Sequence, residues 1–203
     1  MATIEAALEG WQRHGGKRPF FIGMGGGSAA GKSTLAAVLA ERLAPLRVEM
    51  IGQDRFFKRP EDMPKYYSGI HGDYRPAYNE PDSFKQEEMF AYCRGVAGAD
   101  VAILEGILVL WFAELRELMD FKIYIEADAD ERIIRRIRRN MKTVDDYDPI
   151  TEYYLESVRG QHREYNAPTR EYADLIVPGG MAQTEERERI VDNLCATLLD
   201  MGD

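Results

Sequence analysis

Cysteine, histidine and long apolar runs are all scarce in this sequence, and each shortage removes a class of protein. The two cysteines, Cys93 and Cys195, stand far apart without partner spacing in a chain of 203 residues. Neither a disulfide framework nor a zinc site is expected, and both should be reduced thiols. The three histidines, His14, His71 and His162, are too scattered to form a metal cluster and are read first as structural or surface groups. The longest apolar run, 101–113, is broken by Glu105 and falls short of the roughly 20 residues a bilayer-crossing helix needs. No membrane association is expected. The opening stretch MATIEAALEGWQRHGGKR has neither the basic start nor the continuous apolar stretch of a signal peptide, so the expected location is the cytoplasm. Positive charge is also short. With 26 Lys and Arg against 35 Asp and Glu the net charge is −9, which argues against a nucleic-acid partner held through its backbone. Any anion site must therefore be local. No repeat, low-complexity tract or linker divides the chain, so residues 1–203 are read as one domain, and a homo-oligomer is left open.

What is present is a steady alternation of apolar runs with helical patterns, the signature of an α/β fold with a mostly parallel sheet. An N-terminal helix is expected over Thr3 to Arg13, within an arm spanning 1–18. Strands are expected at Pro19 to Met24, Arg47 to Gly52, Val101 to Leu104, Phe121 to Glu126 and Ala173 to Val177. Helices fall between them, with a last one from about Glu185 to Leu199. The expectation is a five-stranded parallel sheet with helices on both faces. Ser83 and Gln86 read as a capping box opening a helix that ends near Gly95. The stretch 55–81, rich in Pro, Tyr, Gly and charge, reads as a long irregular segment, and loops of that length are more often functional than idle.

Directly after the first strand comes Gly25-Gly-Gly-Ser-Ala-Ala-Gly-Lys-Ser-Thr34, in which Gly26 to Ser33 fits G-x-x-x-x-G-K-[ST] at every fixed position. Small residues at Gly26, Gly27, Ser28, Ala29, Ala30 and Gly31 let successive backbone N–H groups close around phosphate oxygens. The helix that follows, opening at Lys32, Ser33 and Thr34, presents its positive end to the same anion. Lys32 adds a point charge near the β and γ phosphates, and the Ser33 hydroxyl is placed to ligate Mg²⁺. A merely flexible Gly-rich turn is the plainer alternative. No N-K-x-D, the guanine-reading motif, occurs, which favours ATP over GTP.

Phosphoryl transfer to an alcohol needs a carboxylate near the acceptor hydroxyl, because that hydroxyl loses its proton as the bond forms. Asp54, after the second strand at the carboxyl edge where open α/β sheets gather ligands, is the leading candidate; a turn-capping Asp is the alternative. Glu105 closes Val101-Ala-Ile-Leu at the same edge and is the candidate magnesium carboxylate beside Ser33 and Asp54, against a salt-bridged structural role. Between Asp130 and Asn140 lie Arg132, Arg135, Arg136, Arg138 and Arg139. At about 100° per residue, Arg132, Arg135, Arg136 and Arg139 share one face and Ile133, Ile134 and Ile137 the other. The helix is thus expected to bury isoleucine and present arginine to the charge of the transferring group, unless that face is only solvated. The acidic stretch Val144 to Pro149 follows as a candidate lid, within a segment 132–149. Tyr66, Tyr67, Tyr74 and Tyr78 could stack on a substrate ring or simply pack the irregular stretch.

Taken in order, the P-loop, Gln53-Asp-Arg-Phe-Phe-Lys58, Ile103-Leu-Glu-Gly-Ile-Leu108, the arginine helix and Ala167-Pro-Thr-Arg-Glu-Tyr-Ala-Asp-Leu-Ile-Val-Pro178 make the chain resemble the uridine kinase family of P-loop small-molecule kinases, from about Pro19 to the C-terminus. The resemblance implies a P-loop nucleoside/nucleotide kinase-like fold, ATP and Mg²⁺ as cofactors, and a small-molecule acceptor such as a nucleoside. It makes Asp54 the catalytic base, Glu105 and Ser33 the magnesium side, and Lys32, Arg136 and Arg139 the groups on the triphosphate. The departures fall on the acceptor side. Asn79 stands where the family has the Asp that holds ribose hydroxyls, and Tyr153 stands where a Gln precedes Tyr154. The stretch 85–100 leaves no room for the family's hairpin with its aromatic and His, and Asp145 and Asp146 stand near the place of lid arginines. The acceptor is therefore expected to be gripped by His71, Asp73, Tyr74 and Arg75, with uridine and cytidine as poor substrates. Kinases for nicotinamide riboside, pantothenate or a sugar acid are the enzymatic alternatives. A nucleotide-binding regulatory protein without an acceptor is the alternative of another class.

Overall fold

The computed structural model describes residues 3–143 and 145–200. Its main sheet has five strands, β1 (Phe20–Gly26), β2 (Val48–Gly52), β5 (Val101–Glu105), β6 (Phe121–Glu126) and β7 (Leu175–Pro178), in the order β2-β5-β1-β6-β7. Every neighbouring pair is parallel. The helices around it are α1 (Ile4–Arg13), α2 (Lys32–Arg42), α3 (Gln86–Arg94), α4 (Ala113–Arg116), α5 (Ala129–Asn140), α6 (Asp148–Tyr153), α7 (Arg159–Gln161) and α8 (Thr184–Leu199). β1 is buried along its whole length, as a central strand covered on both faces must be. Its alternate side chains feed two cores. Phe20, Ile22 and Met24 pack with α1, α2 and α8 through Leu8, Leu39 and Leu194, whereas Phe21 packs with Ile51, Phe56, Phe84 and Met89 on the opposite face. Truncating fully buried Leu39 to Ala would cost roughly 2–5 kcal/mol by the usual cavity penalty.

Register sets up the functional edge. Met24 of β1 and Gly52 of β2 both pair with Glu105, the last residue of β5, so these three neighbouring strands discharge their loops on one side, β1 running two residues further to Gly26. The expected P-loop kinase-like α/β architecture is the one observed.

Four local expectations are corrected. The stretch 55–81 is not irregular throughout: it holds an antiparallel ribbon of β3 (Lys65–Ser68) and β4 (Asp73–Pro76), closed by a turn in which Gly72 takes φ +70°. Alternation there is masked because both faces carry Tyr and charge. Ser83 and Gln86 form no capping box. Ser83 sits in a 3₁₀ turn and donates its hydroxyl to the Ala77 carbonyl, while Gln86 reaches back to the Pro81 carbonyl at 3.1 Å. β7 begins at Leu175 rather than Ala173, because the preceding turn runs through Tyr172. Finally, α5 does not bury its isoleucine side: Arg132 is its one buried residue, Ile134 is 48% exposed, and Ile133 and Ile137 are only half-buried, as Arg135 and Arg136 are. Arg132 and Arg135 reach the backbone carbonyls of Ala127 and Gly179, and guanidiniums satisfy those oxygens while their stems pack, which no isoleucine could do. Of the expected lid, Val144 lies outside the described residues; Asp145 to Asp148 are exposed, and Pro149 suits the first turn of α6.

Among the described residues no helix is long and apolar enough to cross a membrane. Both cysteines are free and buried, and burial pushes the Cys93 thiol up to about 11.

Candidate functional site

The floor of the site is the loop between β1 and α2. Gly26 takes φ +139°, and a Cβ there would meet the Ile125 carbonyl oxygen at 2.5 Å, so only glycine lets the chain leave the sheet at this point. Gly31, at φ +109°, performs the left-handed step into α2, and Ala29 also takes a positive φ. Behind the loop, Arg132 packs so close to Gly27 that an added Cβ would lie 2.6 Å from Nη1; its Nε donates to the Ala127 carbonyl at 3.0 Å. Lys32 is buried, and its Nζ donates to the Gly27 carbonyl at 2.9 Å. Burial pushes the Lys32 ammonium down to about 8, against the opposing pull of Glu105 and Asp54.

Two acidic groups rise beside this floor. Glu105, at the end of β5, accepts a hydrogen bond from the Ser33 hydroxyl at 2.9 Å. Asp54 lies in the 3₁₀ turn Gln53–Phe56 that follows β2, exposed and without a side-chain hydrogen bond among the described residues. Its neighbour Gln53 is wholly buried and accepts from the Leu108 N–H at 2.9 Å, locking the Asp54 turn to the loop beyond Glu105. One hydroxyl and two carboxylates are hard oxygen donors of the kind that hold Mg²⁺ together with phosphates and water. Among the described residues no cluster of three His, Cys, Asp or Glu could hold a metal by itself.

These groups open onto a cleft of about 890 Å³. The loop residues Ser28 to Thr34, Asp54 and Glu105 line it, as do Arg136 and Arg139 from α5. Arg136 donates to the Ser28 hydroxyl at 2.9 Å and lies 5.5 Å from the Tyr153 ring centre; burial lowers its pKa. Arg135 is occupied by Gly179 O at 2.8 Å and Glu131 at 2.7 Å. Arg138 is exposed.

Asn79 and Tyr153 meet at the far end. The Tyr153 hydroxyl accepts from the Tyr78 N–H at 3.0 Å and from the Asn79 amide at 3.3 Å, which leaves the Asn79 carbonyl oxygen free as an acceptor. Tyr66 and Tyr78 pack on the Tyr153 ring, at 5.8 and 6.2 Å between centres. By contrast His71, Asp73, Tyr74 and Arg75, the expected acceptor grip, do not line the cleft. They belong to the hairpin, where Arg75 pairs with Asp73 at 2.9 Å, His71 meets Glu152 at 2.9 Å, and Tyr74 is 70% exposed. The ribbon's pleat turns them toward α6 and solvent. Tyr67, edge-on to Tyr74, goes with them.

Several cleft residues escaped the sequence reading. Phe57, Ile107, Gly179, Met181 and Arg187 also line the cleft. Pro178-Gly179-Gly180 after the last strand was the available signal, since a Gly turn at a carboxyl sheet edge marks close backbone approach. Asn166 was missed too. It is buried, donates to the carbonyls of Gly26 (3.1 Å) and Ile107, and accepts from Tyr124 at 2.9 Å, so it ties the P-loop to the helical segment behind it. That segment continues α6 through π-helical turns at Tyr154–Val158 and His162–Asn166, features that often mark functional sites.

Residues 61–185 match the phosphoribulokinase / uridine kinase family. The chain belongs to this family. It is 35% identical over 186 residues to a uridine kinase of Bacillus subtilis, covering 81% of this chain and 88% of that one. It is 32% identical over 207 residues to a uridine kinase of Latilactobacillus sakei, covering 92% and 98%. In three dimensions it resembles phosphoribulokinase from Rhodobacter spheroides with a TM-score of 0.58, over 80% of this chain and 70% of that one, at 15% identity. That last likeness concerns the P-loop kinase fold alone.

Proposed function

We propose that the protein is an ATP- and Mg²⁺-dependent kinase that transfers the γ-phosphoryl group to a hydroxyl of a small molecule. The observation that carries this is the convergence of Lys32, the Ser33–Glu105 pair and the unbonded Asp54 on one cleft, at the carboxyl ends of three neighbouring parallel strands. In this reading the loop N–H groups and Lys32 hold the β and γ phosphates, while Ser33 and Glu105, with Asp54, stand where Mg²⁺ would be held. Asp54 takes the acceptor hydroxyl's proton as the oxygen–phosphorus bond forms and ADP leaves; Arg136 and Arg139 meet the charge spread over the moving group. The names of the relatives make uridine the first acceptor to test. Asn79 and Tyr153 weaken that choice, because a neutral amide bonds a ribose hydroxyl less strongly than an ionised carboxylate.

ADP release across uridine, cytidine, nicotinamide riboside, pantothenate and a sugar acid tests the reading. One acceptor should stimulate release, with uridine at a KM above about 1 mM, the top of the usual range. Asp54→Asn should lower its turnover by roughly 10²–10⁴ while nucleotide affinity holds. Equal loss of affinity and turnover would make Asp54 a metal or structural residue. Nucleotide binding with no acceptor-stimulated release would favour a regulatory protein.

A further inference from the structure

Behind Ser28 and Asn79 lies a second, much smaller cavity of about 10 Å³, walled also by Ile107, Gln161 and His162. Ser28, Asn79 and Ile107 line the main cleft as well, so the small cavity adjoins its acceptor end. Two buried polar atoms on its walls, Gln161 Oε1 and His162 Nδ1, have no hydrogen-bond partner among the described residues. Buried groups of this kind are almost always paired, so an unpaired couple facing one space marks a place made for an occupant.

The walls also state what the occupant must be. Gln161 is 7% exposed, and its amide nitrogen donates to Glu80 at 2.8 Å, which fixes the side chain with its oxygen unused as an acceptor. Burial, reinforced by Arg132 and Lys32, pushes the His162 imidazole down to about 4, so the ring is neutral near pH 7. A space of this size takes about one non-hydrogen atom. A carboxylate or phosphate oxygen, which has no proton to give, would face the lone pairs of Gln161.

We infer that the acceptor places one hydrogen-bond-donating group, a hydroxyl or an N–H, into this cavity, and that Gln161 and His162 determine acceptor specificity. The inference rests on the kinase reading and adds to it a donor-bearing acceptor head, which excludes acids in that position. Specificity of this sort is steep, because an acceptor lacking the group leaves both atoms unpaired.

The test is Gln161→Met and His162→Leu, which remove the polar atoms at similar volume. Each should raise the KM of the best acceptor by about tenfold, with kcat and nucleotide affinity held. The His162 variant should also raise the melting temperature of the free protein by about 2–4 °C, since an unpaired polar atom destabilises the empty fold, whereas Gln161→Met gives up its bond to Glu80 as well and should show no such gain. His162→Asn, which keeps a polar atom near Nδ1, should restore much of the acceptor affinity. If uridine proves to be the acceptor, 3-methyluridine and the deoxyuridines identify which donor enters. An unchanged KM together with a lowered melting temperature would mean that the cavity holds a structural water, and would overturn the inference. A raised melting temperature in a protein that no acceptor stimulates would support the unpaired atoms but sink the kinase reading, and the acceptor's place in the cavity with it.

Discussion

On the P-loop side of the cleft nearly every group is placed by backbone. Glu105 ends a strand, Ser33 and Lys32 open a helix, and Asp54 follows a strand in register with both. On the acceptor side the groups hold one another. Tyr153 fixes Tyr78 and Asn79 across 75 residues of sequence, and Glu156 anchors the hairpin by accepting from Ser68 at 2.7 Å and from the Ile70 N–H at 3.0 Å. A site held by backbone resists change, since moving one group means moving a strand. A site held by side chains can be rebuilt by two or three substitutions. That difference makes the two halves separable by experiment.

The largest effect should come from breaking the backbone-held half at Lys32. Lys32→Ala should lower kcat/KM for ATP by roughly 10²–10³, the worth of one charge aimed at a developing anion. The wild-type protein offers a subtler check. With the ammonium pushed from its usual 10.5 down to about 8, the free protein releases the Lys32 proton above pH 8, and nucleotide binding must then take one up. Nucleotide affinity should fall by up to about tenfold per pH unit as pH climbs past 8. Fold stability moves the other way: between pH 8 and 10.5 the unfolded chain binds the extra proton, so Lys32's contribution to stability rises with pH. Calorimetric affinities that stay flat across this range, or that fall equally in Lys32→Ala, would refute the assignment.

A middle-sized effect should separate α5 into working and idle arginines. Arg136→Ala and Arg139→Ala should each lower kcat by about 10- to 10²-fold, the range for hydrogen bonds to charged groups, whereas exposed Arg138→Ala should change it by less than about twofold. Equal losses from all three would mean that α5 acts only as a diffuse positive field.

The arginine helix also shows where sequence reasoning reaches its limit. Angular spacing correctly separates arginine from isoleucine, but not which side faces inward; that depended on the carbonyls of Ala127, just ahead of the helix, and of Gly179, supplied by a distant segment. The parallel strands were legible to within a residue or two because each is a buried apolar run set off by turns, and the P-loop because its chemistry tolerates few residue types. The hairpin was not, since its alternating positions are all polar or Tyr and its stability comes from Glu152 and Glu156 on another element. The same long-range dependence put His71, Asp73, Tyr74 and Arg75 outside the cleft, and left Asn79 and Tyr153 facing it.

The smallest effect, and the sharpest on the side-chain-held half, belongs to Tyr153→Phe. The substitution keeps the ring that packs Tyr66, Tyr78 and the Arg136 guanidinium, and deletes only the hydroxyl. Two donors lose their partner, the Tyr78 N–H and the Asn79 amide. Asn79 is then free to turn, and its carbonyl oxygen is no longer held toward the cleft. Acceptor KM should rise by about 3- to 10-fold, the worth of one neutral hydrogen bond, with nucleotide affinity unchanged. Asn79→Ala should produce a similar rise, and the double variant should lose little more than either alone, because both remove the same contact. If the two losses instead add in full, Tyr153 and Asn79 act independently, and the acceptor wall is not the mutually supported unit that the contrast with the P-loop side requires.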